Sequence, residues 1–73
     1  MSIRQFIRNP QDFDDDAVRL MSDAFTAACA EAGVQSEEIF QEMIALRIIE
    51  AAKKGERDPM RLRRAGLATL DLK

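Results

Sequence analysis

The apolar residues of this chain fall into three stretches with helical spacing, separated by short polar segments. At about 100° per residue, the recurrence of apolar positions predicts helices over 12–32, 37–54 and 59–70. The connections between them are too short to let the first two helices run in the same direction. The predicted fold is therefore all-α, with an antiparallel helical hairpin and a short third helix folded against it.

The ends of these helices are marked by residues that commonly stop or start them. Gly33 and Gly55 stand where a helix finishes in a left-handed residue. Ser36 is predicted to cap the second helix through its hydroxyl group. Asp58 followed by Pro59 is typical of the start of a third helix.

The predicted second helix is apolar on more than one side. Ile39, Met43 and Leu46 form a first flank. A second flank contains Phe40, Ile44, Ile48 and Ala51, and Ile49 points away from both. Because a helix that is apolar all round must be covered all round, we expect it to need cover beyond its own hairpin partner.

The length of the chain sharpens that expectation. Seventy-three residues lie near the lower limit for an independent fold, and such small proteins rely on disulfides, metals or oligomerisation. Cys29 is the only cysteine and the chain has no histidine, so neither an internal disulfide nor a Cys/His zinc site can form. We therefore predict a homodimer that completes its core in a four-helix arrangement. The predicted interface is Phe40, Ile44, Arg47, Ile48 and Ala51.

Arg47 has two interpretations. It lies three residues before Glu50, so the two side chains can pair along the helix surface in a solvent-exposed stripe. Alternatively, the same two residues satisfy each other across a two-fold axis at the centre of the dimer interface.

Residues 1–11 are predicted to form an N-terminal arm, and residues 12–73 a single three-helix domain. Ile3, Phe6 and Ile7 give the arm an apolar component. Three outcomes are open: the arm docks in an extended form, it covers the bare flank of the second helix, or it stays loose.

Catalytic and metal-binding chemistry has few candidates in this composition. The chain lacks histidine, tyrosine and tryptophan, and its three glycines leave no phosphate-binding loop. The acidic cluster at 12–16 lacks the glycine and terminal glutamate of a calcium loop. The sequence therefore predicts a protein that is not an enzyme, without cofactor or metal.

The net charge of −2 conceals an asymmetry along the chain. Residues 1–42 carry nine acids and three arginines, a balance of −6, whereas residues 43–73 carry eight bases and four acids, a balance of +4. A nucleic-acid contact through the basic C-terminal helix is thus an alternative function. Its candidate residues are Lys53, Lys54, Arg57, Arg61, Arg63 and Arg64. The competing interpretation is a solvated basic end that meets the acidic start of the first helix.

Roughly residues 1–54 superficially resemble the ribbon-helix-helix family, in which an N-terminal strand and two helices form an obligate dimer. In that comparison 1–8 would be the strand and 33–36 the turn. The predicted first helix, about 20 residues long, exceeds the length usual in that family, and no functional residue carries over. A helix-turn-helix centred on Gly55 fails because Lys54 and Glu56 flank it.

No segment predicts a membrane span or a signal peptide. The lone cysteine indicates a reducing compartment, so we expect a cytoplasmic protein. The function predicted is a small non-enzymatic protein–protein interaction or oligomerisation module. A further alternative is an adaptor that holds another protein on the exposed flank of the second helix.

Overall fold

The structure, a computed structural model, describes residues 3–34 and 36–68. These residues contain no strand, and their three α-helices pack against one another, which confirms the all-α prediction. Thr69 and Leu70, predicted to belong to the third helix, lie outside the described residues. The helices are α1 (Asp15–Ala32), α2 (Glu38–Lys53) and α3 (Pro59–Ala68), preceded by 3₁₀ turns at Ile3–Phe6 and Pro10–Asp12.

The first two helices begin slightly later than predicted. Asp14 is the N-cap of α1: its backbone is extended, and its Oδ1 accepts the N–H of Ala17 at 2.8 Å. Asp12 and Phe13 therefore precede the helix. The N-cap of α2 is Glu37, whose side chain makes no capping hydrogen bond, so the prediction of Ser36 as the cap was one residue early.

Both predicted glycine stops are confirmed. Gly33 has φ +70° and Gly55 has φ +101°, values that residues with a Cβ rarely adopt. In each case the glycine N–H donates to a carbonyl three residues back, and the next N–H donates to one five residues back. This is the Schellman arrangement, which satisfies the last carbonyls of α1 and α2.

The predicted start of α3 is confirmed as well. Asp58 Oδ1 accepts the N–H of Met60 at 2.9 Å, and the carbonyl of Asp58 accepts the N–H of Leu62 at 2.9 Å. Pro59 occupies the first helical position, where its missing N–H costs nothing. The segment between α2 and α3 is thereby held at both ends.

The arm docks onto the helices, as 3₁₀ turns instead of an extended segment. Ile3 is completely buried, and the ring of Phe6 meets that of Phe25 edge-on, with centroids 6.2 Å apart. Residues of the arm contact both α1 and α2.

The hydrophobic core consists of Ile3, Phe13, Ala17, Met21, Ala24, Phe25, Ala28, Cys29, Val34, Ile44, Ala45, Ile48, Ile49, Ala52 and Leu62.

Candidate interaction surface

The exposed side of α2 carries a cluster of large apolar side chains. Their relative exposures are 72% for Ile39, 39% for Phe40, 36% for Met43 and 47% for Leu46. Spacings of four and three residues bring Ile39, Met43 and Leu46 into one stripe along the helix, with Phe40 beside it. We call these four residues the outer face of α2.

The opposite side of α2, its inner face, consists of Ile44, Ala45, Ile48 and Ala52. The first three are 0% exposed and Ala52 is 1% exposed. The close approach of α3 explains the burial of Ile44 and Ile48, because a Cβ placed on Gly66 would stand only 2.9 Å from Ile44 Cγ2 and 3.0 Å from Ile48 Cγ1. Gly66 therefore lets α3 sit directly on the inner face.

This packing corrects the predicted dimer interface. Ile44 and Ile48 have no surface left for a second copy, since their own chain's third helix covers them. Ala51 is half-buried, whereas Phe40 and Arg47 remain accessible. The apolar surface that stays open is mainly the first flank, Ile39, Met43 and Leu46.

A sequence signal does distinguish the two sides of α2. Glu42, Glu50 and Lys53 share the side that carries Ile39, Met43 and Leu46, and charges of this kind resist burial. The side of Ile44 and Ile48 also carries Gln41, Ala45, Ala51 and Ala52, none of which is charged. The charge pattern therefore identifies the exposed side, although apolar periodicity alone does not.

Gln41 is the polar residue on the inner side of α2, and a hydrogen bond accommodates its burial. It is buried, and its Nε2 donates to the carbonyl oxygen of Val34 at 2.8 Å. The same carbonyl accepts the N–H of Glu37 at 3.0 Å. Gln41 thus ties the loop after α1 to the first turns of α2 and helps to hold the outer face in position.

Charged residues border the outer face. Arg47 and Glu50 pair at 3.6 Å between Arg47 Nη1 and Glu50 Oε1, with both side chains more than half exposed. Together with Met43 and Leu46 they line a shallow cleft of about 360 Å³. A second cleft of about 440 Å³ runs from Leu46 to the arm, where Phe6 and Ile7 form part of its wall.

Half of the predicted nucleic-acid-binding residues have partners within their own chain. Arg57 Nη1 donates to the carbonyl oxygens of Ala52 at 2.7 Å and Glu56 at 2.8 Å, and its guanidinium lies over the ring of Phe13. Arg57 therefore caps the C-terminal end of α2. The other two partnered bases form ion pairs: Arg61 with Glu56 at 3.9 Å, and Arg63 with Glu31 at 3.4 Å.

The remaining three bases, Lys53, Lys54 and Arg64, are exposed. Lys53 and Lys54 lie at the end of α2, and Arg64 lies on α3. Lys54 borders a groove between these helices, which is floored in part by Ala51 and Ala65. The six bases are thus divided between structural and solvent-exposed roles instead of forming one array.

The thiol of Cys29 lies inside the core. Burial raises the pKa of Cys29 above its usual value, because desolvation disfavours the thiolate. The side chain therefore behaves as a small apolar residue of α1.

Within 3–34 and 36–68, no helix is both long and apolar enough to cross a membrane. Across the same residues, no three acidic, cysteine or histidine side chains come together in a way that could hold a metal ion. Comparison with protein-family models, with curated proteins and with solved structures finds nothing that matches this chain. The outer face of α2 is accordingly the candidate site, on geometry alone.

Proposed function

We propose that this chain is a small non-enzymatic interaction module that forms a homodimer through the outer face of α2. The observation that carries the proposal is the clustering of Ile39, Phe40, Met43 and Leu46, each 36–72% exposed, on one side of a single helix. Exposed apolar residues are common singly, but a contiguous cluster marks an interaction surface. A second copy supplies a matching cluster by symmetry.

The strength of the association follows from the size of the cluster. The four exposed fractions amount to about two complete side chains in each copy. Burying them in both copies gains roughly 6–12 kcal/mol, at about 1.5–3 kcal/mol per side chain. Association costs about 4–15 kcal/mol, so the net gain is at most about 8 kcal/mol, which makes a micromolar Kd the tight limit. We therefore expect a weak, reversible dimer with a Kd in the micromolar to millimolar range.

Such a dimer brings the α1–α2 hairpins of two copies together as a four-helix arrangement. It differs from the arrangement expected from sequence in the flank it uses, because Ile44 and Ile48 belong to each copy's own core. Arg47 and Glu50 lie at the border of the contact, where they remain partly hydrated. A rim of this kind around an apolar centre is usual for protein interfaces.

Sedimentation equilibrium over protein concentrations from about 1 µM to about 1 mM tests the proposal, because this range covers the expected Kd. The average mass should rise with concentration from 8.2 kDa towards twice that value. Leu46→Glu should stay at the monomer mass. Met60→Glu is the matched control: Met60 is 61% exposed, but it lies on α3, so this variant should associate as the original chain does.

Two results would overturn the proposal. One is a monomer mass for the original chain at every concentration. The other is loss of the dimer in Met60→Glu but not in Leu46→Glu, which would assign the contact to α3. Circular dichroism of all three proteins must show the same helix content, so that unfolding is not mistaken for dissociation.

The nucleic-acid alternative has weaker support, because Arg57, Arg61 and Arg63 already have partners in their own chain. It predicts a salt-sensitive gel shift that weakens when the free bases Lys53, Lys54 and Arg64 are changed to alanine. A cytosolic location also stays a prediction; it agrees with a single cysteine that is buried and unpaired.

A further inference from the structure

We infer that the two copies pair with their α2 helices antiparallel, about a two-fold axis that passes beside Met43. This inference rests on the proposed function, and adds the orientation of the partner and the reason for it. It starts from the stripe Ile39, Met43 and Leu46, in which Met43 is the middle member. An antiparallel pair centred there sets Ile39 of each copy opposite Leu46 of the other, so that the whole stripe is covered.

The charges along α2 favour this orientation. Its N-terminal part carries Glu37, Glu38 and Glu42, whereas its C-terminal part carries Arg47, Lys53 and Lys54 with Glu50 as the single acid. All seven side chains are exposed. A parallel pair would stack acid on acid and base on base, and an antiparallel pair opposes the acidic part of one copy to the basic part of the other.

Among the described residues, five of these seven charges form no ion pair. They are Glu37, Glu38, Glu42, Lys53 and Lys54, in contrast to Arg47 and Glu50, which pair with each other. Packed helices lie about 8–10 Å apart, a separation comparable to the Debye length of about 8 Å at physiological salt. In the register that sets residue 39 opposite residue 46, Glu38 of one copy lies opposite Arg47 of the other, so these charges act across the contact, and the opposed helix dipoles add in the same direction.

Disulfide cross-linking distinguishes the two orientations. A Cys29→Ala background removes the native thiol, and Ile39→Cys or Leu46→Cys then adds one thiol to the outer face. In the antiparallel pair, two copies of residue 39 are about 10 Å apart along the helices, at 1.5 Å per residue. That offset exceeds what a disulfide spans, whereas residue 39 of one copy faces residue 46 of the other.

We expect an equal mixture of the two variants to form the mixed disulfide several-fold faster than either variant forms its own. Met60→Cys in the same background measures random collision, because Met60 is exposed on another helix. Faster self-linking of Ile39→Cys would overturn the antiparallel arrangement and indicate a parallel one. No linking above the Met60→Cys level would overturn it too.

The same samples separate failure of this inference from failure of the proposed function. Reduced Ile39→Cys and Leu46→Cys proteins are sedimented at the concentrations used for cross-linking. If they form dimers but link with the parallel pattern or not at all, only the orientation is wrong. If the original chain and the Cys29→Ala background both remain monomers, the proposed function fails, and the antiparallel inference fails with it.

Discussion

The inner and outer faces of α2 differ in environment far more than in composition. Ile48 on the inner face is 0% exposed, and Ile39, the same residue type two and a half turns earlier, is 72% exposed. The difference comes from α3, where Leu62 is fully buried and Gly66 removes the bulk that would hold the helices apart. The apolar helix α2 is thus covered on the side where Gly66 lets α3 approach closely.

The comparison predicts that a glutamate lowers the stability of the chain far more on the inner face than on the outer face. Ile48→Glu places a carboxylate in a fully buried position without a charge partner, and we expect it to cost more than about 4 kcal/mol and to unfold the chain. Leu46→Glu leaves the carboxylate in water, so monomer stability should change by less than about 0.5 kcal/mol. Urea denaturation followed by circular dichroism measures both.

The contrast fails if the two variants lose similar stability. Equal losses would mean that α3 does not shield Ile48 or that Leu46 is itself part of the core. To keep dimerisation out of the measurement, the denaturation is run at a protein concentration at which sedimentation shows only monomers.

Local signals in the sequence predicted most of the helical framework. Gly33, Gly55 and Asp58 act over a few residues of chain, and their effects do not depend on what packs from elsewhere. The start of α1 shifted because Asp12, Asp14 and Asp15 are all acceptable capping or first-turn residues. Only the extended backbone of Asp14 and its bond to Ala17 select among them.

The candidate site was harder to predict, because both flanks of the second helix are apolar. Which one is covered depends on α3, whose contact with Ile44 and Ile48 joins residues far apart in the chain. Gly66 would weaken an isolated helix, but in this fold it is the residue that permits close packing. Arg57 was interpreted as part of a basic cluster, although its donors satisfy carbonyls at the end of α2.

Gly66 provides the next test of the comparison. In an exposed helix, Gly→Ala is favourable by about 1 kcal/mol, but here the new methyl group would stand 2.9 Å from Ile44 Cγ2. We expect Gly66→Ala to destabilise the chain by about 1–3 kcal/mol, the usual cost of overpacking. Thermal or urea denaturation measures the change.

A double variant assigns the effect to this contact. Ile44→Leu removes the branch that carries Cγ2, so Gly66→Ala should cost less in that background than alone. Ile39→Leu is the matched control on the outer face and should leave the cost unchanged. A stabilising Gly66→Ala would show that helix propensity outweighs packing and that the inner face is looser than described.

The smallest expected changes in stability concern two exposed arginines, one beside each face of α2. Arg57 donates to the carbonyls of Ala52 and Glu56 and covers Phe13 at 5.9 Å, so it closes the end of the inner face. Arg57→Ala leaves these carbonyls to water, and we expect a loss of about 1 kcal/mol.

Among residues 3–34 and 36–68, Arg47 pairs only with Glu50, and both side chains are more than half exposed. Arg47→Ala should therefore cost no more than about 0.5 kcal/mol, because exposed pairs of this spacing contribute a few tenths. Both variants are compared with the original chain by urea denaturation of the monomer at low and high salt. Arg57→Ala should keep most of its effect in high salt, since its hydrogen bonds are to neutral carbonyls, whereas any effect of Arg47→Ala should fade. If Arg47→Ala loses more stability than Arg57→Ala, the border of the outer face stabilises α2 more than the cap at its C-terminal end does.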